Sequence, residues 1–223
     1  MSLYKKVEQT TFAQTLELNE GWNWVSIYLD NEDPEEMMLM LQEALGENGL
    51  TIAAADDYTT YADGEWGDEG DLEELSNDRM YMIEVAAACT VVLQGMPADP
   101  ADYTITIVPG WNWIGFPSAE AISIEDAFAD FEAVDEDMIV CPFGYTTFVD
   151  EWGDEGELEE LTPGVGYMYF YNGEEEQDLI IQTGDKARRA MKMHKPLNLK
   201  VKVVMPVSDP SKTAKVEQSN TKK

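Results

Sequence analysis

Carboxylates crowd around a tryptophan twice in this chain, as EWGDEGDLEEL at 65–75 and EWGDEGELEEL at 151–161, identical but for one Asp/Glu exchange. Calcium is the first chemistry such a phrase could do, because that ion takes about six to eight oxygen ligands, commonly from alternating loop positions. Asp68, Asp71, Asp154 and Glu157 are the candidate ligands. The spacing departs from the D-x-[DN]-x-[DN]-G-x5-E loop: Trp66 interrupts it, and Asp63, followed by Gly64, becomes Asp150 followed by Glu151. Paired carboxylates could also hydrolyse a glycoside, which needs one carboxyl buried and protonated and another solvated across a cleft. Nothing else in the chain assists. Its single histidine is His194, and Cys89 and Cys141 sit in the apolar runs AAACTVVL and MIVCPF. Those surroundings suit small buried hydrophobes, with a disulfide between the two as the alternative, and they leave no zinc or Cys-His constellation. The expectation is a non-enzymatic chain with no catalytic residue, no cofactor and no metal, calcium being the alternative.

A scaffold reading accounts for more of the phrase. Trp66 and Trp152 would anchor a loop in the core, Gly67 and Gly70 would let it turn, and Leu72 and Leu75 (Leu158 and Leu161) would return to the apolar side. The acids would then face water, where charge runs ordinarily sit.

The phrase belongs to a longer repeat, which sets the architecture before any local assignment. LELNEGWNWVSIYL at 16–29 matches ITIVPGWNWIGFPS at 105–118 with an offset of 89. DYTTY at 57–61 matches GYTTF at 144–148 at 87, while the acidic phrases, and Tyr81 with Tyr167, match at 86. Two copies follow, 11–95 and 103–184, joined by a Pro-rich linker at 96–102 and flanked by an arm at 1–10 and a tail at 185–223.

Inside each copy the periodicity passes from strand to helix and back. TLELNEGWNWVSIYL alternates like paired strands around an Asn-Glu-Gly turn. Asp33 then reads as an N-cap, Pro34 as the first helical residue, 37–45 as the apolar-striped body and Gly46 as the stop. In the second copy Ser123 caps IEDAFADF, with Ile124, Phe128 and Phe131 on one face. Short strands follow in both. The fold class expected is mainly β with one short helix per copy, each copy a small antiparallel barrel or sandwich. Trp22 and Trp24, like Trp111 and Trp113, lie two apart on a strand and share a face. They are expected to fill the core as structural anchors, with Asn23 and Asn112 pointing the other way; a sugar platform would leave the rings exposed.

Charge is divided along the chain. Of 14 basic residues, eleven lie between Lys186 and Lys223, opposed there only by Asp209 and Glu217. The body before them carries 43 acids against Lys5, Lys6 and Arg79, so a net −40 body bears a +9 tail, giving the overall −31. Such a body repels nucleic acid and anionic membranes. No run is long and apolar enough for a membrane span, and the start, MSLYKKVEQTTFAQ, has no apolar stretch of the signal-peptide kind.

The order GWNW(V/I), short helix, YTTY or YTTF, W-G, then LTPGVGYM resembles the tandem GWN modules of secreted and cell-surface proteins of gut-type bacteria. In those, L-x-x-GWN opens a module and L-x-P-G-x-GY closes it. Leu161, Pro163, Gly164, Gly166 and Tyr167 carry the closing motif in the second copy, whereas the first has LSNDRMY in that place. The resemblance implies a non-catalytic extracellular β module used as a spacer or binding unit.

The tail alternates Leu197, Leu199, Val201 and Val203 against Asn198, Lys200 and Lys202, a strand pattern in need of a sheet. Lys186, Arg188, Arg189, Lys192, Lys195, Lys200 and Lys202 are the candidate partner-binding residues, suited to other protein subunits of an assembly. The functional expectation is a structural or interaction protein, its acidic body displayed and its basic tail anchoring it in a larger assembly such as a phage particle. A surface module without an export signal fits a particle released by lysis, so a virion or other extracellular surface is the expected location. The alternatives are a glycan-binding or adhesive cell-surface module and a calcium-binding β module.

Overall fold

Each copy starts on a turn locked by its own asparagine. In the computed structural model, which describes residues 11–30, 33–67, 69–149 and 155–183, Gly21 and Gly110 turn with φ of 86° and 95°, values that an L side chain rarely adopts. Asn23 Oδ1 accepts from Asn19 N at 2.8 Å, and its Nδ2 reaches Asn19 O, Gly21 O and, across the sheet, Ile83 O. Asn112 repeats this with Val108 N, Val108 O, Gly110 O and Tyr169 O. The Asn of each GWNW is thus the lock of its turn.

Copy one runs β1 (Phe12–Leu18), β2 (Gly21–Ser26), β3 (Leu29–Asp30), α1 (Pro34–Leu45), β4 (Gly49–Ala53), β5 (Tyr58–Ala62), β6 (Glu65–Trp66), β7 (Met80–Val85) and β8 (Cys89–Pro97). Its strands form two antiparallel sheets, β1-β8-β3 and β2-β7-β4-β5-β6, so the strands on either side of the Asn-Glu-Gly turn pair with β8 and β7 and not, as their alternation suggests, with each other. Asp33 caps α1 by accepting from Glu35 N and Glu36 N, Pro34 opens the helix and Gly46 ends it, as its sequence implies. Met37, Met38, Leu41 and Leu45 enter a core shared with Leu16, Leu18, Ile52, Ile83, Val91 and Leu93.

Copy two runs β9 (Ile105–Ile107), β10 (Gly110–Ile114), β11 (Ile122–Ser123), α2 (Ile124–Ala127), β12 (Met138–Cys141), β13 (Gly144–Thr147), β14 (Glu155–Gly156), β15 (Glu160–Leu161), β16 (Tyr167–Tyr171) and β17 (Gln177–Leu179). The five-stranded sheet recurs as β10-β16-β12-β13-β14, with the pairs β9-β17 and β11-β15 beside it. The mainly β class therefore holds, but among the described residues no sheet closes on itself, so the barrel alternative gives way to an open, sandwich-like packing. The second helix is shorter than its spacing predicts. Ser123 caps it through Asp126 N, yet it ends at Ala127. Phe128 and Phe131 follow in a turn and meet edge-to-face at 5.8 Å, both burying against Tyr169. Aromatic contacts take over where aliphatic helix turns stand in copy one.

Asp137, fully buried, ties this aromatic core to its loops. Its carboxylate accepts from Tyr169 OH at 2.6 Å, Asn172 N at 2.6 Å and Val134 N at 2.8 Å, so the buried charge is met by three donors. A second repeated device is a buried tyrosine. Tyr81 OH accepts from Ser76 N, and Tyr167 OH accepts from Thr162 N, each at 2.6 Å. Burial pushes both hydroxyls up to about 12.

Candidate binding cleft at the junction of the two copies

The acidic phrase of copy one is held by its backbone. Gly67 N donates to Thr60 O, Thr60 N to Glu69 O and Leu72 N to Tyr58 O, while Gly70 lies so close to Tyr58 O that no Cβ would fit. Leu72 and Leu75 are buried and Glu65, Glu69, Asp71, Glu73 and Glu74 are exposed. Trp66 is half-buried against the core, its Nε1 donating to Gln42 O near the end of α1 at 3.2 Å and its ring edge-on to Tyr61. In copy two, Leu161 is buried and Leu158 packs against the core, while Trp152 lies outside the described residues.

Of the calcium candidates, Asp71 and Glu157 are exposed, and Asp68 and Asp154 lie outside the described residues. Among the described residues no three His, Cys, Asp or Glu side chains gather to hold a metal ion. Cys141 is buried and Cys89 half-buried, both as free thiols, each within or against the core of its own copy. The tail residues Lys186, Arg188, Arg189, Lys192, Lys195, Lys200 and Lys202 also lie outside the described residues. Among the described residues no helix is long and apolar enough to cross a membrane.

The GWNW indoles correct the sequence reading. Trp22 and Trp111 stand 49% and 48% exposed, and Trp24 and Trp113 are half-buried, so none fills the core as an anchor. The cause is the asparagine lock. Asn23 and Asn112 must reach turn carbonyls on the inner side, and the two-residue period of a strand then puts both flanking indoles on the outer one.

The outer faces meet at the junction between the copies, where the chain forms an approximate two-fold contact with itself. Ser26 N donates to Gly164 O at 3.0 Å, and Gly115 N donates to Asp78 O at 2.9 Å. Ser26 and Gly115 correspond under the 89-residue offset, Asp78 and Gly164 under the 86-residue one, so each bond is the image of the other. This is how an isologous dimer interface is built, here inside one polypeptide.

The two sides are nevertheless unequal. On the first, the LTPGVGY turn zips onto β2: Val25 pairs with Val165 as an antiparallel bridge, Gly166 N donates to Trp24 O, and Ser26 Oγ donates to Val165 O at 2.7 Å. Gly166 is required there, because a Cβ would lie 2.9 Å from Val25 N and 3.0 Å from Met80 Cβ. On the second, LSNDRMY faces β10, and a cleft of about 430 Å³ remains. Trp111 and Trp113 line it with Arg79, Asp78, Asp56 and Thr104. Arg79 Nη1 donates to Asp56 Oδ1 at 3.0 Å, both side chains being well exposed, and Asp78 accepts from Ser76 Oγ.

Sequence reasoning missed Arg79, Asp56 and Asp78 as site residues. Two signals pointed to them: LSNDRMY breaks the repeat, and Arg79 is the one base between Lys6 and Lys186. The pairing of that turn with the other copy's tryptophans is a long-range contact that no local pattern encodes. A second cleft, about 460 Å³, lies between Phe12, Tyr28, Met96 and Pro97 of one side and Ala119 and Glu120 of the other. No family model, curated protein or solved structure matches the chain.

Proposed function

We propose that the chain is a non-catalytic interaction protein, its acidic body displayed and its basic tail anchoring it within a larger assembly such as a phage particle. The observation that carries the reading is the outward indole in both copies. Trp22 and Trp111 are large apolar rings left half in water at corresponding positions, and exposed aromatics of this kind are what binding surfaces use. The charge division supports the anchoring half, since a +9 tail on a −40 body suits an acidic neighbouring subunit. The resemblance to tandem GWN modules points the same way, to a spacer or binding unit.

Removing residues 186–223 and measuring how much protein enters purified particles tests the anchoring. Incorporation should fall at least tenfold; unchanged incorporation sinks the idea. The glycan-binding reading is favoured by one further observation, that Trp111 overlooks a cleft with charged hydrogen-bonding groups. Calcium binding would instead raise the melting temperature on metal addition, with chelator reversing it.

A further inference from the structure

We propose that the junction cleft binds a neutral glycan, one sugar ring stacked on Trp111 and its hydroxyls held by Arg79, Asp56 and Asp78. The proposal rests on the reading of the body as a displayed binding unit and names its ligand.

The platform is built before any ligand arrives. Trp111 is braced on its own sheet by its cross-strand neighbour Phe170, ring centroids 5.2 Å apart. Across the cleft the backbone of Arg79 is pinned by the other copy: Gly115 approaches so closely that a Cβ would collide with Asn77 O and lie 2.7 Å from both Arg79 N and Arg79 O. The bond from Gly115 N to Asp78 O fixes the preceding residue as well. The guanidinium is then aimed by Asp56, which occupies Nη1 and leaves the rest of its five N–H donors for a ligand. A rigid ring opposite a pre-aimed fork lowers the ordering cost of binding.

Charge and size choose the ligand class. An anion would meet Asp56 and Asp78 in the same cleft as the one arginine, inside the field of a body at −40. A metal cation would have to displace Arg79 from Asp56. A purely apolar ligand would strip water from these charges without replacing their hydrogen bonds. A sugar satisfies all of them. Its hydroxyls donate to the carboxylates and accept from the guanidinium, and its C–H face covers an indole. The volume, about 430 Å³, suits a short oligosaccharide and is too small for a folded partner to enter.

The test titrates the full chain with neutral tetrasaccharides of gluco, manno and galacto configuration, and with a neutral glycan array, reading heat and indole fluorescence. Saturable binding of at least one probe is expected. Trp111→Ala and Arg79→Ala should each lower affinity at least tenfold, about 1.4 kcal/mol. Trp111→Phe, which keeps an aromatic against Phe170, should fall between, and Trp22→Ala should bind as the parent does. If Trp111→Ala does not fold, Trp111→Phe and Arg79→Lys decide, the latter keeping the charge and losing the fork. Absence of saturable binding to every probe overturns the proposal, as does binding indifferent to Trp111 and Arg79, or a peptide displacing the glycans. A tail-dependent particle protein that binds no glycan overturns the cleft alone. Glycan binding by a chain that incorporates without its tail supports the cleft and overturns the anchoring.

Discussion

Copy one fills its core with aliphatic side chains on a helix, and copy two fills the same place with interlocking aromatics, most of them edge-on or tilted to one another. Met37, Met38, Leu41 and Leu45 come down from the twelve residues of α1. Phe128, Phe131, Phe148, Tyr169 and Tyr171 meet at centroid distances of 5.4 to 6.1 Å around a helix of only four. The asparagine-locked turns, the tyrosine hydroxyl caps and the five-stranded sheet do not change between the copies. Cores of this kind tolerate exchange of contents provided volume and shape are kept, whereas a turn that needs one carbonyl bonded by one amide does not.

The largest effects should separate the two fillings. Phe128→Ala should cost about 4 kcal/mol and Leu41→Ala about 3 kcal/mol in urea unfolding; a loss under about 1 kcal/mol for either would mean that its core collapses around the gap. Next, Gly115→Ala should cost about 3 kcal/mol by forcing apart the two-fold contact. An unchanged midpoint would show that the copies are not pressed together there. High pH should act on both copies alike. The hydroxyls of Tyr81 and Tyr167 are raised by burial from 10.0 to about 12. Stability is therefore complete below about pH 10 and is lost as pH climbs through 12, because the unfolded chain releases those protons first. A flat urea midpoint across that window would contradict the burial.

Smaller effects test the equivalence of the locked turns. Asn23→Ala and Asn112→Ala should each cost about 2 kcal/mol, since each removes the one side chain satisfying its turn. A difference above about 1 kcal/mol would break the correspondence between the copies. Trp22→Ser should move stability by less than about 0.5 kcal/mol, the ordinary effect of an exposed site. A loss above about 2 kcal/mol would restore the indole to the core.

Much of the scaffold was legible in the chain. Asp33, Pro34 and Gly46 bound α1 by capping rules that act within a few residues, and the repeat put the asparagine locks and the tyrosine caps in both copies at once. The acidic phrase of copy one resolved as its glycines and leucines implied. What failed was the orientation of the GWNW face. Indoles two apart on a strand share a side, but the choice of side depended on where Asn23 finds its carbonyls, at Asn19, Gly21 and Ile83. The length of α2 failed for a related reason: the periodicity of Ile124, Phe128 and Phe131 describes side chains that reach one core, and a turn delivers them there as well as a helix does. The cleft was illegible because its walls are 25 residues apart at the nearest, Arg79 to Thr104, and belong to different copies.

The self-contact between Ser26 with Gly164 and Gly115 with Asp78 has a consequence for how such a chain can change. In a dimer of identical subunits any substitution is made twice, and an arginine placed on one side of the axis must appear on the other. Covalent joining lifts that rule. One half can keep the glycine turn that closes the contact, while the other trades it for Arg79 and leaves a gap, so a single asymmetric recess can arise on a nearly symmetric framework without the second side having to accommodate the same charge.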